Sequence, residues 1–257
     1  MTDYIKKYWE SQGDMYGASH WASWGDNWMI ALEIETIAKF INHGDSVIDI
    51  GCANGYSTLQ QAAAHRLRSI VGVDYSGSMI EHAKDRLAQS SVNCQMSFEV
   101  GDVRSLPFDS EAFDVAYTTR VIINLPTWNE QCKAIDECMR VVKPGGTLVL
   151  SEGFWEPLMK LNAVRQLCSL PLLVEHDFNR YIKMSMLIDY LSEKNVYYEV
   201  HDFSSIYYLG SRLIRELVTD INSYEGFTNP INKIFFEIEQ NYSGGGFGIQ
   251  QAVVIKK

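Results

Sequence analysis

Short apolar runs alternate with amphipathic stretches between about residues 45 and 152, and this alternation is the strongest pattern in the chain. The apolar runs are short and rich in branched residues, which predicts buried strands, while the stretches between them have helical periodicity. The predicted strands are 47–50, 70–74, 96–100, 113–117 and 147–150, and the predicted helices are 58–64, 79–88 and 128–141. Strands that alternate with helices indicate an α/β fold with a mostly parallel sheet and helices on both faces.

The two flanks of this region have different patterns. Residues 1–44 are predicted to be helical and are rich in tryptophan, and residues 153–195 are also predicted to be mainly helical. The remainder contains strand-like runs at 196–203 and 249–255 with a helical stretch at 212–222 between them. We therefore expect one domain over 1–257, with an N-terminal helical lid (1–44), a cofactor-binding core (45–152), a helical cap (153–195) and the last strands with a helical insertion (196–257).

Composition and charge exclude several classes of protein. The formal net charge of −10, from 22 basic and 32 acidic residues, disfavours a nucleic-acid partner, which generally requires a basic face. The five cysteines form no C-x-x-C pair, which argues against a disulfide framework and a zinc site. The N-terminus lacks the apolar core of a signal peptide, and no apolar run approaches the roughly 20 residues of a membrane helix. We therefore expect a cytoplasmic protein without a metal site. The sequence is compatible with a homodimer.

The stretch "VIDIGCANGYSTL" predicts a strand, a glycine turn and a helix. Free backbone N–H groups at the start of such a helix can face a ligand, and Gly51 and Gly55 would let it approach the main chain. The turn alone is a weak signal. A dinucleotide cofactor fits poorly, because the third glycine that its pyrophosphate requires is replaced by "YST".

Two aspartates strengthen the prediction of a cofactor site. Asp74 ends the second predicted strand, where a carboxylate can accept hydrogen bonds from both hydroxyls of a ribose. Asp102 follows the third strand and can accept from an adenine amine, while the N–H of Val103 donates to the ring. Each aspartate alone could equally be a helix cap or a turn residue. Their order along the chain makes the combined signal strong.

The chain resembles the class I S-adenosylmethionine-dependent methyltransferases, in particular the branch that acts on small molecules. The stretches that carry this resemblance are "VIDIGCANGYSTL", "VGVDYSGSMIEHAK", "GDVRSLPFDSEAFDVAY" and "RVVKPGGTLVLSEG", which cover residues 45–153. The resemblance implies a Rossmann-like sheet of seven strands, mostly parallel, with an antiparallel last strand and helical insertions after strands five and six. It also implies S-adenosylmethionine as the cofactor.

The resemblance assigns cofactor-binding roles position by position. Asp49, Gly51 and Gly55 would shape the pocket for the methionine end, and Thr119 or its neighbours would line the sulfonium side. The chain departs from the family at Ala53, where glycine is commoner, and we expect only a slightly altered turn. The complete implied set is Asp49, Gly51, Ala53, Gly55, Asp74, Tyr75, Met79, Asp102, Val103, Thr119 and Arg120.

Three residues are candidates for the chemistry at the acceptor. Arg120 follows the fourth strand and could orient an anionic substrate, although a structural ion pair is equally compatible with the sequence. Glu152, beyond the fifth strand, could be a base or a hydrogen-bonding group, or only a capping or surface acid. His176 lies in a predicted loop and could be a general base, although a histidine beside an acid is more often structural.

Further candidates for contact with the substrate or for a lid lie in the flanking regions. Aromatic and polar residues there could close over the acceptor, although packing is the commoner role of such side chains. These candidates are His20, Trp21, Asn179, Tyr207, Tyr208 and Arg212.

From this we expect metal-independent methyl transfer from S-adenosylmethionine to a small molecule, with O-methylation favoured. The alternatives are N-methylation of a small amine, methylation of a carboxylate steered by Arg120, and a non-catalytic protein that senses S-adenosylmethionine.

Overall fold

The computed structural model describes residues 2–17, 19–220, 222–224 and 226–257. Met1 and Ala18 of the predicted lid, and Ile221 of the helix predicted at 212–222, lie outside the described residues. Seven strands form one sheet, and their buried apolar side chains explain why the alternating pattern was so clear. The strands are β1 (Ser46–Ile50), β2 (Ser69–Asp74), β3 (Gln95–Val100), β4 (Phe113–Thr119), β5 (Val142–Gly153), β6 (Tyr197–His201) and β7 (Gln250–Lys256).

The strand order is β3-β2-β1-β4-β5-β7-β6, and β7 runs antiparallel to both of its neighbours. All other pairs are parallel. This confirms the predicted fold class, including the antiparallel last strand. The order changes direction between β1 and β4, and a crevice at the carboxyl ends of the strands at such a point is the usual ligand site of an open parallel sheet.

Helices cover both faces of the sheet, and two apolar cores lie between them and the strands. The helix that begins at Ser205 is interrupted by a π-helical segment at Gly210–Ile214 before it ends at Val218. The helices are α1 (Thr2–Tyr16), α2 (Asn27–Ala38), α3 (Tyr56–Ala64), α4 (Gly77–Ala88), α5 (Trp128–Val141), α6 (Trp155–Leu167), α7 (Met184–Glu193), α8 (Ser205–Leu209), α9 (Arg215–Val218) and α10 (Asn232–Asn241). Among the described residues, no helix is both long and apolar enough to cross a membrane.

The cap predicted at 153–195 is only partly helical, because residues 168–183 form an irregular segment between α6 and α7. The side chain of Asn162 fixes this segment by exchanging two hydrogen bonds of 2.8 Å with the backbone of Leu173. These bonds satisfy backbone groups that a helix would have satisfied internally.

Two further expectations differ from the structure. The helix predicted at 212–222 starts earlier and ends at Val218, since Thr219 is extended and Asp220 accepts a turn hydrogen bond from the N–H of Asn222. Helix α10 was not predicted; it is held in place by the buried rings of Phe235 and Phe236.

Candidate active site

The loop between β1 and α3 carries three left-handed positions, at every second residue, of the kind that favours glycine. Gly51, Ala53 and Gly55 have φ values of 81°, 47° and 73°. A Cβ on Gly51 would meet the side chain of Val121 at 2.1 Å, so no larger residue fits there without a shift. Ala53 tolerates the conformation with its methyl group, at the strain that an L-residue carries in this region. The altered turn expected at Ala53 is therefore a glycine-like conformation adopted by a non-glycine residue.

Asp74 holds this loop in place from the end of β2. Its Oδ2 accepts a hydrogen bond of 2.9 Å from the N–H of Ala53, and its Oδ1 accepts one of 2.9 Å from the N–H of Ser76. Burial raises the pKa of the Asp74 carboxyl. The carboxylate thus joins the two loops that follow β1 and β2, and it also lines the cavity that these loops form.

That cavity, the cofactor cavity, has a volume of about 130 Å³ and lies at the carboxyl ends of β1, β2 and β4. Every residue predicted to bind the cofactor lines it, except Asp49 and Gly55. The lining residues from the prediction are Gly51, Ala53, Asp74, Tyr75, Met79, Asp102, Val103, Thr119 and Arg120. Sequence reasoning missed Ile5, Trp9, Ser23 and Arg104, which also line it.

Asp49 and Gly55 lie behind the loop instead of in the cavity wall. The buried Asp49 accepts a hydrogen bond of 2.6 Å from the hydroxyl of Thr58 in α3, and burial raises its pKa to about 7. A Cβ on Gly55 would meet the ring of Phe98 at 2.7 Å. Both residues therefore fix how α3 packs against the sheet behind the cavity.

Asp102 lines the cavity but is already engaged by an ion pair. The guanidinium of Arg104 lies 2.6 Å from its carboxylate (Nη2 to Oδ2) and also pairs with Glu130 at 2.9 Å. Burial raises the pKa of Asp102, but the hydrogen bonds from Arg104 outweigh this and lower the pKa overall. Arg104 therefore holds Asp102 as a carboxylate against the cavity.

A second cavity of about 510 Å³, the acceptor cavity, adjoins the first. The two share four lining residues, Trp9, Ser23, Arg120 and Asn124, so the cavities meet at these side chains. Among the residues predicted to contact the substrate, His176, Asn179 and Tyr208 line the acceptor cavity.

Arg120 occupies the junction between the cavities. Its φ of 57° is left-handed, and its N–H donates to the carbonyl of Ser151 at 2.9 Å. The guanidinium stacks over the ring of Trp24 at 4.5 Å and pairs with the buried Glu33, with Nε 3.0 Å from Oε1. Backbone strain that the surrounding structure maintains is common at functional sites. The structure thus gives Arg120 both an ion pair and a place in the site.

Glu152 lines neither cavity. Its carboxylate accepts a hydrogen bond of 2.7 Å from Thr118 and further ones from the backbone N–H groups of Val121, Ile122 and Ile123. Burial raises its pKa to about 7 in spite of these donors. Glu152 fixes the turn after β4 that carries Val121 into the cofactor cavity, and this position does not fit direct contact with an acceptor.

Tyr207 and Arg212 also lie outside both cavities. The hydroxyl of Tyr207 and the guanidinium of Arg212 both donate to Asp26, which is fully buried at the start of α2. This group of three residues joins the N-terminal region to the insertion between β6 and β7. The same guanidinium lies 5.5 Å from the ring of Tyr208, so Arg212 supports the acceptor cavity from behind.

Helix α1 of the predicted lid lines both cavities, whereas His20 and Trp21 line neither. His20 packs near Tyr56, and burial lowers its pKa, while Trp21 contacts Phe227. Ile5 and Trp9 of α1 line the cofactor cavity, and Tyr8 and Trp9 line the acceptor cavity. The signal that could have identified them is their i, i+3, i+4 spacing, which places all three on one face of a helix.

The core of the chain matches a known protein family. The sequence pattern of a family described as a methyltransferase domain matches residues 47–146. A 27-O-demethylrifamycin SV methyltransferase of Amycolatopsis mediterranei is 31% identical over 109 residues, which are 42% of this chain and 39% of that protein. A demethylmenaquinone methyltransferase of Symbiobacterium thermophilum is 25% identical over 156 residues, 59% of this chain and 57% of that protein. The chain therefore aligns with less than two thirds of the length of these relatives.

Solved structures agree in fold over nearly the whole chain. The geranyl diphosphate C-methyltransferase of Streptomyces coelicolor, solved in complex with Mg²⁺, geranyl diphosphate and S-adenosyl-L-homocysteine, matches with a TM-score of 0.63. The match covers 99% of this chain and 96% of that chain at 16% sequence identity. At this identity the likeness establishes the fold, and the helical additions outside residues 47–146 are part of it.

Proposed function

We propose that the chain is a class I S-adenosylmethionine-dependent methyltransferase and that it transfers the methyl group of this cofactor to a small molecule held in the acceptor cavity. The observation that carries the proposal is the junction at Arg120 and Asn124, where the predicted cofactor cavity and a second, larger cavity share lining residues. Methyl transfer requires two ligands that meet at one point, and this arrangement provides for both.

The residues of the first cavity fit S-adenosylmethionine and fit a phosphate-bearing cofactor poorly. Asp74 and Asp102 supply carboxylates, and Thr119 has a buried hydroxyl oxygen without a hydrogen-bond partner in the described residues. The two arginines of the lining, Arg104 and Arg120, are both engaged in ion pairs. Acceptor groups suit the hydroxyls, the amines and the sulfonium cation of S-adenosylmethionine, whereas a pyrophosphate would require unpaired donors.

In this assignment Asp74 would hold the ribose, and Asp102 with Val103 would hold the adenine. When bound, the sulfonium cofactor supplies an activated methyl group, so the protein mainly has to align the acceptor and exclude water. Trp9 lines both cavities from the lid, and Asn124 and Arg120 line both from the turn after β4. These three residues would fix the position of the acceptor atom and shield it from solvent.

We favour transfer to oxygen, without a metal ion. A hydroxyl acceptor generally requires a base, and His176 lines the acceptor cavity, where its ring can take up the proton. N-methylation and carboxyl methylation are alternatives, because both reactions would use the same two cavities. The chain matches only part of the length of these relatives, so the support for the acceptor class comes from the cavity.

The test is transfer of isotope-labelled methyl from S-adenosylmethionine to a fractionated metabolite extract. Wild-type protein is expected to label at least one small-molecule fraction and to form S-adenosylhomocysteine. The Asp74→Ala variant is expected to lose both products, while Asp109→Ala, a change of the same type outside both cavities, is expected to retain them. Tight binding of S-adenosylmethionine with no transfer to any fraction would contradict the proposal and favour a sensor of the cofactor.

A further inference from the structure

The acceptor cavity contains negative charge that nothing in its wall balances. Glu175 and Asp177 both line it, and neither forms an ion pair with any described residue. One oxygen of Glu175 accepts a hydrogen bond from the N–H of Tyr181, and its other oxygen is not used in this way. The neighbouring Arg180 donates to the backbone carbonyls of Asp177 and Asn179, not to a carboxylate.

The cation that lines this cavity is already neutralised. Arg120 is the one lysine or arginine in the described lining, and its guanidinium pairs with Glu33, which is only 3% exposed. The same guanidinium is stacked on Trp24. Behind the wall, Arg212 is paired in the same way with the fully buried Asp26. Both cations are therefore balanced, and the charge left in the cavity comes from Glu175 and Asp177.

Aromatic rings form much of the remaining wall. Tyr8 of the lid lies 4.7 Å from Phe178 between ring centroids, and His176 lies 4.3 Å from Phe178. Tyr181 and Tyr208 line the cavity from other elements. The faces of such rings carry negative potential and attract cations, and the attraction grows as water is excluded. A wall of aromatic rings next to unpaired carboxylates should therefore bind an ammonium group in preference to a carboxylate or a phosphate.

A buried polar group also indicates that a ligand belongs in this cavity. Tyr208 lines the cavity and is 6% exposed, and its hydroxyl forms no hydrogen bond with any part of the chain that the structure describes. Burial raises the pKa of this phenol, so that it stays protonated. Asn124 also lines the cavity, and its Oδ1 is buried without a partner among the described residues. Such a buried oxygen usually has a partner, and a donor group on the methyl acceptor would supply one.

We propose that the methyl acceptor carries a protonated amine, which the carboxylates of Glu175 and Asp177 and the surrounding aromatic rings bind. This inference rests on the proposed function and narrows its substrate class to cationic small molecules. The amine anchors the acceptor at the outer wall, and a hydroxyl elsewhere in the same molecule reaches the junction at Arg120 and Asn124. An amino alcohol or an amino phenol has this combination of groups.

The experiment compares three para-substituted phenols whose side chains end in a cationic, a neutral or an anionic group. Tyramine, para-propylphenol and para-hydroxyphenylpropionate are titrated by calorimetry into the protein saturated with S-adenosylhomocysteine. We expect tyramine to bind about tenfold more tightly than the neutral phenol, as an ammonium group held by rings and carboxylates should. The anionic phenol should bind most weakly, and the preference for tyramine should shrink as salt is added.

Variants of the two carboxylates test whether they cause the preference for tyramine. In Glu175→Gln the amide oxygen can still accept from the N–H of Tyr181, so the fold of the wall is kept while the charge is removed. We expect this variant, and more so Glu175→Gln with Asp177→Asn, to lose the preference for tyramine. Glu193→Gln changes the net charge equally at an exposed position outside the cavity and should keep the preference.

The outcomes separate the two proposals. Tightest binding of the anionic phenol, or no binding of tyramine while S-adenosylhomocysteine binds, would overturn the cationic acceptor and leave the methyltransferase assignment standing. A preference for tyramine that survives in the double variant would also overturn it, because other groups would then be responsible. Failure of S-adenosylhomocysteine itself to bind would contradict the proposed function, and this inference with it.

Discussion

The guanidinium of Arg120 is held between the carboxylate of Glu33, 3.0 Å away (Nε to Oε1), and the ring face of Trp24. Glu33 and Trp24 come from the N-terminal part of the chain, whereas Arg120 follows β4 at the centre of the sheet. The pair therefore fastens the N-terminal elements to the point where the two cavities meet. It also determines the charge that an acceptor encounters there.

Removal of Arg120 should affect both stability and use of the acceptor. Arg120→Ala leaves Glu33 buried without its partner, which is expected to lower the free energy of unfolding by about 3 kcal/mol. The KM for the acceptor should rise more than the dissociation constant of S-adenosylhomocysteine, because the first cavity keeps its other contacts. Denaturant unfolding, steady-state kinetics and calorimetry measure the three quantities.

The matched control removes both charges together. Arg120→Met with Glu33→Leu replaces the pair by apolar side chains of similar size and should recover most of the lost stability, but not the KM. A single Arg120→Ala variant that is as stable as wild type, or that loses cofactor affinity alone, would refute this role.

The left-handed conformation of Ala53 predicts that glycine is tolerated at this position and valine is not. In Ala53→Gly the relief of about 1 kcal/mol of strain is offset in part by the greater entropy of the unfolded chain. The free energy of unfolding should therefore change by less than about 1 kcal/mol, and cofactor affinity should persist. Ala53→Val places a β-branched residue at φ of 47° and should lower both stability and affinity. Equal behaviour of the two variants in unfolding and calorimetry would show that the loop does not keep this conformation.

Glu152 is expected to act through the turn that it holds. The carboxylate of Glu152 accepts hydrogen bonds from backbone N–H groups with both of its oxygens. In Glu152→Gln an NH2 group replaces one of these oxygens and cannot accept, which should lower the free energy of unfolding by about 2 kcal/mol. The shape of the pH profile of turnover should not change, since the side chain lines neither cavity. Thr118→Val removes a single donor and should cause a smaller loss. A Glu152→Gln variant of normal stability whose turnover is abolished would make Glu152 a catalytic base instead.

Glu10 joins α1 to α4, and we expect the strength of this contact to depend on pH. Its carboxylate accepts hydrogen bonds of 3.0 Å from the N–H groups of both Gly77 and Ser78 at the start of that helix. Burial raises the pKa of Glu10, but these donors outweigh it and lower the pKa below its ordinary 4.5. The stabilisation is therefore complete above pH 4.5 and is lost as the pH falls below that value through the pKa of the folded state.

Glu10→Gln should accordingly lower the free energy of unfolding by about 0.5 kcal/mol at neutral pH, a value reduced for solvent screening. The difference from wild type should disappear in acid. Glu81→Gln, an exposed neighbour on α4, should show no such difference at any pH. A difference that persists unchanged in acid would mean that the carboxylate of Glu10 is not the source.

The sequence predicted which residues line the cofactor cavity where these residues directly follow strands that the apolar pattern identifies. The core strands follow their apolar runs, and the residues after β1, β2 and β3 line the cavity because parallel strands bring their carboxyl ends to one edge. The apolar run of the fifth strand predicted only part of β5, which begins at Val142, because Val142 pairs with Phe113 across a register shift that no periodicity reveals.

The acceptor cavity depends on contacts between distant parts of the chain. Arg120 was found as a candidate, but its partner Glu33 is 87 residues away and its stacking partner is Trp24. The pairing of Asp26 with Arg212 spans 186 residues. The wall that carries Glu175 and Phe178 is irregular, so it has no periodicity to detect. Such pairings follow from tertiary packing, which the order of motifs along the chain does not encode.

Calorimetric titration of S-adenosylhomocysteine measures whether the cavity beside Asp74 is the site that holds S-adenosylmethionine. Wild-type protein and the surface variant Asp109→Ala should bind one equivalent with the same affinity. Asp74→Ala should bind at least about tenfold more weakly, since it loses hydrogen bonds to a charged group, while circular dichroism shows that the fold persists. Binding by Asp74→Ala as tight as by wild type, or no binding by wild type, would contradict the account.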